Sequence, residues 1–197
     1  MKAVIMAGGK GTRISSVASD IPKPMIQIQG KPVLEYELEC LRDQGFTDII
    51  LTVSHLGHVI IDYFGDGSKA SPATGKPFGV HIEYFNEELP LGNAGALFQI
   101  KDKLTEDFLL LNAPPRQKGC MPRSSSPIFD VDFSRFVTYH KEKGGLVTLF
   151  THPNSHPYDS GLIVTDENNA VQKWLAKEDE RPWYYRNRVN AGLHILS

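Results

Sequence analysis

Short apolar segments alternate with segments of helical periodicity over residues 1–150, and this alternation constrains the fold most strongly. Apolar runs predict strands at 2–6, 48–53, 80–85, 107–111 and 146–150, and amphipathic spacing predicts helices at 32–44, 56–64, 91–104 and 133–143. Strands that alternate with helices are typical of βαβ units, in which helices cover both faces of a parallel sheet. The sequence therefore predicts an α/β fold with a mostly parallel central sheet.

The last part of the chain has a different pattern. Strand candidates follow at 161–165, 170–174 and 188–196, and the polar turn 166–169 separates the first two. Closely spaced strands joined by turns predict hairpins. The two patterns together predict a Rossmann-like central sheet with helices on both faces and a hairpin-rich second half. A length of 197 residues suits a single domain of this kind.

The charge balance excludes two classes of partner. The chain has 21 basic and 23 acidic side chains, for a net charge of -2, whereas generic binding to nucleic acids or anionic membranes depends on net positive charge. No apolar run approaches the ~20 residues that span a bilayer. The two cysteines are too few for a disulfide scaffold. We expect a cytoplasmic protein with no nucleic-acid or membrane partner.

A glycine-rich loop, GGKGTR, occupies residues 8–13 directly after the first predicted strand. Glycines let backbone N–H groups approach a phosphate closely, and Lys10 and Arg13 add positive charge. In open α/β sheets, ligands bind at the carboxyl ends of the strands, where this loop begins. The loop matches neither a Walker A motif nor the dinucleotide fingerprint, because Ile14 stands in place of the third glycine. The pattern predicts a phosphate site of another type.

A second cation follows this loop at a fixed distance. Pro22 and Pro24 flank Lys23, and two prolines stiffen the backbone that carries its ammonium group. Residues 1–31 as a whole have a local excess of positive charge, with a single acid, Asp20, against the basic residues Lys2, Lys10, Arg13, Lys23 and Lys31. A local excess of this kind in an otherwise balanced chain indicates an anion site.

These motifs together resemble those of the sugar-1-phosphate nucleotidyltransferases. GGKGTR is followed by PKP at 22–24, by LPLGNAGAL at 89–97 and by Asn190-Ala191-Gly192. Within that family the chain is most similar to mannose-1-phosphate and heptose-1-phosphate guanylyltransferases, and the likeness covers nearly the whole chain except 114–127. The resemblance implies an enzyme that joins a nucleoside triphosphate to a sugar 1-phosphate and releases pyrophosphate. Within the family, the resemblance slightly favours GTP as the nucleotide and a manno-configured sugar.

The resemblance also implies roles for individual residues. Arg13 and Lys23 would be catalytic, Arg13 by steadying the leaving pyrophosphate and Lys23 by neutralising charge near the α-phosphorus. The sugar phosphate would be held by Gly161, Lys177 and Asn190, so that the hairpin-rich half binds the sugar. The nucleotide would be held by Ala7, Gly8, Gly9, Gly11, Thr12, Arg13, Pro90, Leu91 and Gly92.

The implied reaction poses an electrostatic problem. The sugar phosphate is already a nucleophile, so no catalytic triad and no covalent enzyme intermediate are needed. Two anions must meet while further negative charge leaves, and fixed cations, backbone dipoles and a Mg²⁺ cofactor are the expected solution. Positioning and charge neutralisation supply most of the barrier reduction in related phosphoryl transfers.

The sequence departs from the family pattern near the implied metal site. The family places a magnesium-binding Asp just after the strand at 107–111, whereas here Asn112 and Ala113 are followed by Pro114. An atypical loop rich in proline, serine and basic residues, 114–127, begins there. The metal ligands are therefore unknown, with Asp130 and Asp132 as candidates. Ala176 also stands where the family has a Glu before the lysine of its aromatic-x-Glu-Lys run.

These departures leave other interpretations open. A catalytically silent nucleotide-sugar-binding or assembly domain of the same fold is the alternative function, and a thymidylyl-, uridylyl- or cytidylyltransferase is an alternative enzyme. Family members continue beyond the point that corresponds to Ser197, so we expect a single nucleotidyltransferase domain over 1–197 that is truncated at its C-terminus. A homo-oligomer or a fused C-terminal domain fits the same resemblance.

Overall fold

The computed structural model describes residues 1–8, 21–54, 56–87, 92–112, 131–155 and 157–197. Its helices are α1 (Val33–Asp43), α2 (Gly57–Phe64), α3 (Gly92–Gln99) and α4 (Phe133–Lys143), with short 3-10 helices at Lys23–Met25, Lys101–Lys103 and Pro157–Asp159. Its strands are β1 (Ala3–Met6), β2 (Gln27–Ile28), β3 (Lys31–Pro32), β4 (Asp48–Val53), β5 (His81–Asn86), β6 (Phe108–Asn112), β7 (Val147–His152), β8 (Leu162–Thr165), β9 (Val171–Leu175) and β10 (Val189–Leu196).

An eight-stranded sheet runs through the described residues in the order β5-β4-β1-β6-β10-β8-β9, and β7 pairs with β10. The first four strands in this order are parallel, and β10 continues the sheet antiparallel to β6. β8 and β9 form an antiparallel hairpin. The predicted α/β class, with a mostly parallel centre and a hairpin-rich second half, is confirmed.

Helices pack on both faces of the central sheet because side chains alternate across its strands. Ile5 of β1 lies in one apolar cluster with Leu34 of α1 and Phe133 of α4. The neighbouring Val4 points to the other face and lies in a second cluster with Ala96 of α3. Burial on both faces explains why these strands read in the sequence as continuous apolar runs.

The element boundaries differ from the sequence prediction mainly at the third helix. That helix was expected over 91–104, but α3 ends at Gln99 and a 3-10 turn follows. The N–H of Ile100 is shared between the carbonyl oxygens of Ala96 at 3.3 Å and Leu97 at 3.2 Å, which marks the tightening of the last turn. The atypical loop 114–127 lies outside the described residues. Among the described helices, none combines the length and apolar character of a bilayer span.

Candidate active site

The carboxyl ends of the central strands form one continuous edge. β1 lies between β4 and β6. After β1, the next two strands of this sheet, β4 and β5, are added on one side of β1, and β6 is then added on the other side. Met6 pairs with Thr52 of β4 and with Asn112 of β6, which places Ala7, Gly8 and Asn112 at the same edge. A change in the direction of strand order is the usual place for a ligand crevice in an open α/β sheet.

Gly8 is held tightly at this edge. The N–H of Ala7 donates to the carbonyl of Thr52 at 2.9 Å, and the hydroxyl of Ser54 donates to the carbonyl of Gly8. A Cβ added at Gly8 would lie 2.7 Å from Oε1 of Glu87 and 3.4 Å from Oγ of Ser54. Only glycine fits without displacing these side chains, and its bare backbone borders the predicted nucleotide site.

Lys23 projects from a rigid segment beside the first helix. Pro22 has φ -64° and ψ 142°, and its carbonyl accepts a 2.8 Å hydrogen bond from the N–H of Met25. Pro24 is buried, and Met25 packs in the same apolar cluster as Ala7. The side chain of Lys23 itself is half-buried. The backbone that carries Lys23 is therefore fixed to the core at the end of the sheet where α1 begins.

Several predicted nucleotide-site residues lie outside the described residues. Gly92 is described and begins α3 with φ +67°, a left-handed conformation that favours glycine. The predicted roles of the other residues in this group stay predictions, and those residues are Gly9, Gly11, Thr12, Arg13, Pro90 and Leu91.

Asn190 reaches the same edge from the antiparallel part of the sheet. Its Oδ1 accepts hydrogen bonds from the N–H of Gly192 at 2.9 Å and from Nε2 of His194 at 3.0 Å. Gly192 has φ +75°, and a Cβ added there would lie 3.4 Å from both Cβ and Nδ2 of Asn112. The pairing of β10 with β7 shifts in register between Asn190 and His194. The two hydrogen bonds direct Oδ1 of Asn190 back toward its own strand and fix the orientation of the amide group.

Gly161 lies beside Asn190, and Lys177 follows the next strand along the same edge. Leu162 pairs with Val189 of β10 and with Leu175 of β9, so the preceding residue, Gly161, lies between Asn190 and the residues that follow β9. Lys177 directly follows Ala176. Its Nζ lies 3.4 Å from Oε1 of Glu178 in an exposed ion pair. The structure thus brings together the three residues predicted to hold the sugar phosphate.

Trp174 packs directly on Gly161. A Cβ added at Gly161 would lie 2.7 Å from Nε1 of the indole and 2.9 Å from two of its ring carbons. Half of Trp174 remains accessible to solvent, since the residue is 50% exposed. An exposed indole face next to a predicted sugar site is suited to stacking on a sugar ring.

The structure does not bring Asp132 to this edge. Its Oδ1 accepts hydrogen bonds from the hydroxyl of Ser134 at 2.6 Å and the N–H of Arg135 at 3.1 Å, which lower the pKa of Asp132 and cap α4. Its neighbours Val131 and Phe133 both bond to Gln44, which ends α1 just before β4 begins. Asp132 therefore lies at the amino ends of the parallel strands. Asp130 lies outside the described residues.

Sequence reasoning missed several side chains at the edge. Ser54 and Asn112 stand at the ends of β4 and β6, where the strand pattern itself could have signalled them. Glu87 follows β5 in the same way, and the sequence offered no reason to place it against Gly8. His194 lies inside the sheet, and burial lowers its pKa. A neutral His194 keeps one ring nitrogen as a donor to Asn190.

Comparisons with known proteins identify the family. A family model described as Nucleotidyl transferase matches residues 2–197. The chain is 34% identical over 210 residues to a UTP–glucose-1-phosphate uridylyltransferase from Synechocystis sp., with 100% of this chain and 49% of that protein covered. It is 31% identical over 202 residues to a mannose-1-phosphate guanyltransferase from Saccharomyces cerevisiae, with 100% and 50% covered. The chain thus spans about half the length of these curated relatives.

Three solved structures of two proteins are similar to this chain over its whole length. HddC from Yersinia pseudotuberculosis superposes with a TM-score of 0.72 at 27% identity, over 100% of this chain and 76% of that one. A further structure of that protein is a complex with GMP-PN, and its TM-score is 0.70. A putative glucose-1-phosphate thymidylyltransferase from Bacillus anthracis superposes with a TM-score of 0.77 at 19% identity, over 100% and 71%, and supports the fold alone.

Proposed function

Because the chain belongs to the nucleotidyl transferase family, we propose that it makes a nucleoside-diphosphate sugar from a nucleoside triphosphate and a sugar 1-phosphate. One observation carries this proposal. The ends of five neighbouring strands, β1, β6, β10, β8 and β9, place the glycine that starts the phosphate loop in a row with the predicted sugar-phosphate residues. A row of this kind holds two phosphate compounds side by side, as the reaction requires.

The nucleotide is proposed to bind at the β1 end of this row. Gly8 leaves no side chain between the backbone and a phosphate, and the hydroxyl of Ser54 holds its carbonyl group. The loop that continues from Gly8 carries Lys10 and Arg13. Backbone N–H groups and these cations would neutralise the triphosphate, with Arg13 directed at the leaving pyrophosphate.

The sugar 1-phosphate is proposed to bind at the other end. Lys177 is exposed, so its ammonium group is accessible to a phosphate. Gly161 and the amide of Asn190 would face the sugar, and Trp174 offers a ring face for stacking. Lys23 would lie between the two substrates and stabilise the charge that develops at the α-phosphorus.

The chemistry is a single displacement. A phosphate oxygen of the sugar phosphate attacks the α-phosphorus, the bond from that phosphorus to the oxygen bridging the β-phosphate breaks, and pyrophosphate leaves with the electron pair. The attacking oxygen is already ionised at neutral pH, so the protein needs no general base. Its contribution is to align the groups and to stabilise negative charge in the transition state.

A magnesium ion is part of the proposal. Among the described residues, no group of three or more His, Cys, Asp or Glu side chains is placed to hold a metal. Mg²⁺ at phosphoryl-transfer sites is usually bound by one or two carboxylates together with substrate phosphates. Glu87 and the amide oxygen of Asn112 are the described groups at the edge that fit such a role. The ion would then arrive with the triphosphate and neutralise part of its charge.

The choice of base and sugar rests on the relatives. Guanyltransferases for mannose 1-phosphate and a uridylyltransferase for glucose 1-phosphate are all similar to this chain. The Yersinia protein whose structure contains GMP-PN matches the whole chain. We favour GTP and a manno-configured sugar 1-phosphate, with UTP as the competing nucleotide. We also propose that the reaction takes place in the cytoplasm and that the protein works as a homo-oligomer or together with a fused C-terminal domain.

A second candidate function is a silent domain that binds nucleotide sugars without turnover. Pro114 stands where the family pattern has a metal-binding Asp, and Asp132 caps α4 at the other end of the strands. If Mg²⁺ binding requires a carboxylate where Pro114 stands, these two observations favour the silent domain.

A pyrophosphate-release assay separates the two functions. ATP, GTP, CTP, UTP and dTTP would each be tested with mannose 1-phosphate, glucose 1-phosphate and a heptose 1-phosphate in the presence of Mg²⁺. We expect turnover, greatest with GTP, that falls about 100- to 1,000-fold in Lys23→Ala if Lys23 acts like a single oxyanion-hole donor. Lys141→Ala, which removes an exposed lysine of α4, should leave the rate unchanged. Binding of a triphosphate without any turnover would favour the silent domain.

A further inference from the structure

Arg181 joins the two loops that carry the predicted sugar-phosphate residues. Its Nη2 donates to the carbonyl of Ser160 at 2.7 Å and to the carbonyl of Ala176 at 3.4 Å. The first carbonyl belongs to the peptide bond that precedes Gly161, and the second to the peptide bond that precedes Lys177. One guanidinium group therefore touches the backbone on both sides of the predicted subsite.

The turn that carries Lys177 is anchored independently on its other side. Oδ2 of Asp179 accepts from the N–H of Ala176 at 2.8 Å, and the N–H of Asp179 donates to the carbonyl of Ala176 at 3.2 Å. Both backbone groups of Ala176 are thus bonded within the turn. These two hydrogen bonds of Asp179 stay within the turn. The hydrogen bonds of Arg181 tie the turn to the loop before β8.

The other donor atoms of the Arg181 guanidinium make no hydrogen bonds of their own within the described part of the chain. Its Nε and Nη1 atoms are buried and have no hydrogen-bond partner among the described residues. The ring of Tyr185 lies 6.0 Å from its guanidinium carbon. Burying charged donors without partners is unfavourable, and an apolar side chain of similar size would avoid that cost. The contacts to Ser160 and Ala176, and not these buried donors, are the favourable hydrogen bonds of this guanidinium.

We propose that Arg181 is a positioning residue for the sugar 1-phosphate, a role that rests on the proposed function. It holds the peptide bonds before Gly161 and Lys177 at a fixed separation, so that the lysine ammonium and the glycine backbone meet the same substrate. A lysine at this position would keep the charge, but its ammonium sits on a flexible stem and would hold the two carbonyls less rigidly than Nη2 of the planar guanidinium does.

Hydrogen exchange and kinetics of Arg181→Gln, Arg181→Lys and a matched control test this role. The control is Arg186→Gln, which removes an exposed arginine from the same segment. Amide exchange over 157–161 and 176–179 should become faster in Arg181→Gln and stay unchanged in the control. The KM for mannose 1-phosphate should rise about 10- to 100-fold in Arg181→Gln, with the KM for GTP within about twofold of the original value. Arg181→Lys should lie between the two.

A double-mutant cycle adds a readout that general destabilisation would not change. If Arg181 acts through Lys177, Arg181→Gln should raise the KM for the sugar phosphate much less in a Lys177→Ala background than alone. Additive effects would overturn the proposal, as would an equal rise in both KM values. Unchanged amide exchange over the two loops would overturn it too, whether or not the chain turns over substrate. Loss of folding in both Arg181 variants would show a general structural role and would also contradict it.

The exchange measurement separates this inference from the proposed function. If no substrate pair gives turnover, the proposed function fails, and faster exchange in Arg181→Gln would still show that Arg181 joins the two loops. If turnover is observed and exchange is unchanged, the proposed function stands and the role of Arg181 is contradicted.

Discussion

Gly161 lies against the indole of Trp174, so closely that a Cβ at Gly161 would be 2.7 Å from the indole Nε1. The contact joins the loop before β8 to the middle of β9. The indole then forms one wall of the proposed sugar subsite, and it can pack there because Gly161 has no side chain.

Substitution of Gly161 by alanine should displace this indole and weaken binding of the sugar phosphate. Trp174 is 50% exposed, so the ring has room to swing away and the free energy of unfolding should fall by less than about 1 kcal/mol. Trp183→Phe provides a background in which Trp174 is the only tryptophan. In that background Gly161→Ala should change the fluorescence emission, and it should raise the KM for the sugar phosphate. An unchanged emission spectrum would contradict the contact.

Alanine at Gly8 should weaken binding of the triphosphate, because the new Cβ would meet Oε1 of Glu87 at 2.7 Å. We expect the KM for GTP to rise about tenfold or more, since small displacements of a substrate-positioning backbone have large effects. Gly145→Ala is the matched control, because its nearest neighbour would be 3.8 Å away. A Gly8→Ala variant with normal nucleotide kinetics would show that this backbone does not border the site.

A buried carboxyl group on α1 should make stability depend on pH. Burial raises the pKa of Glu37 well above its ordinary value, and neither of its carboxylate oxygens has a hydrogen-bond partner among the described residues. Above the ordinary pKa the unfolded chain loses this proton while the folded chain keeps it. The free energy of unfolding therefore decreases as pH rises, by at most about 1.4 kcal/mol per pH unit from this group.

Chemical denaturation at pH 5 and pH 8 measures this dependence. Glu37→Gln should stabilise the protein more at pH 8 than at pH 5, because the variant has no proton to lose. Glu39→Gln is the control, since Glu39 is partly exposed and paired with Lys31. Equal effects of Glu37→Gln at both pH values would show that Glu37 is ionised in the folded protein.

The packing of α1 on the sheet predicts a contrast between two leucines. Leu38 is 1% exposed in the main apolar cluster, whereas Leu146 is 80% exposed. Leu38→Ala should lower the free energy of unfolding by about 2–5 kcal/mol, through lost burial and a new cavity. Leu146→Ala should change it by less than about 0.5 kcal/mol. Urea denaturation measures both, and similar values for the two variants would contradict the assigned core.

The architecture was predictable from the sequence because its central strands are buried on both faces. The predicted strand at 48–53 and the predicted helix at 133–143 coincide with β4 and α4. Apolar runs of strand length and one-sided helical spacing give direct signals of this kind. The early end of α3 at Gln99 was missed, because its last turn tightens without a proline or glycine to mark it.

The arrangement of the candidate site was less predictable, since it depends on contacts between distant segments. The positive φ of Gly192 and its approach to Asn112 follow from how β10 docks on β6. Asp132 stands at the start of a predicted helix and was nonetheless considered as a metal ligand. The position of an Asp directly before a helix is the ordinary signal for an N-cap, and the structure assigns it that role.

The central claim is that the two substrates bind at opposite ends of one edge of the sheet. The KM values of the Lys177→Ala variant test this claim most directly. Initial rates of pyrophosphate release would be measured while GTP and mannose 1-phosphate are varied in turn. The account predicts that the KM for mannose 1-phosphate rises about tenfold or more while the KM for GTP stays within about twofold. An unchanged KM for the sugar phosphate, or an equal rise for both substrates, would contradict it.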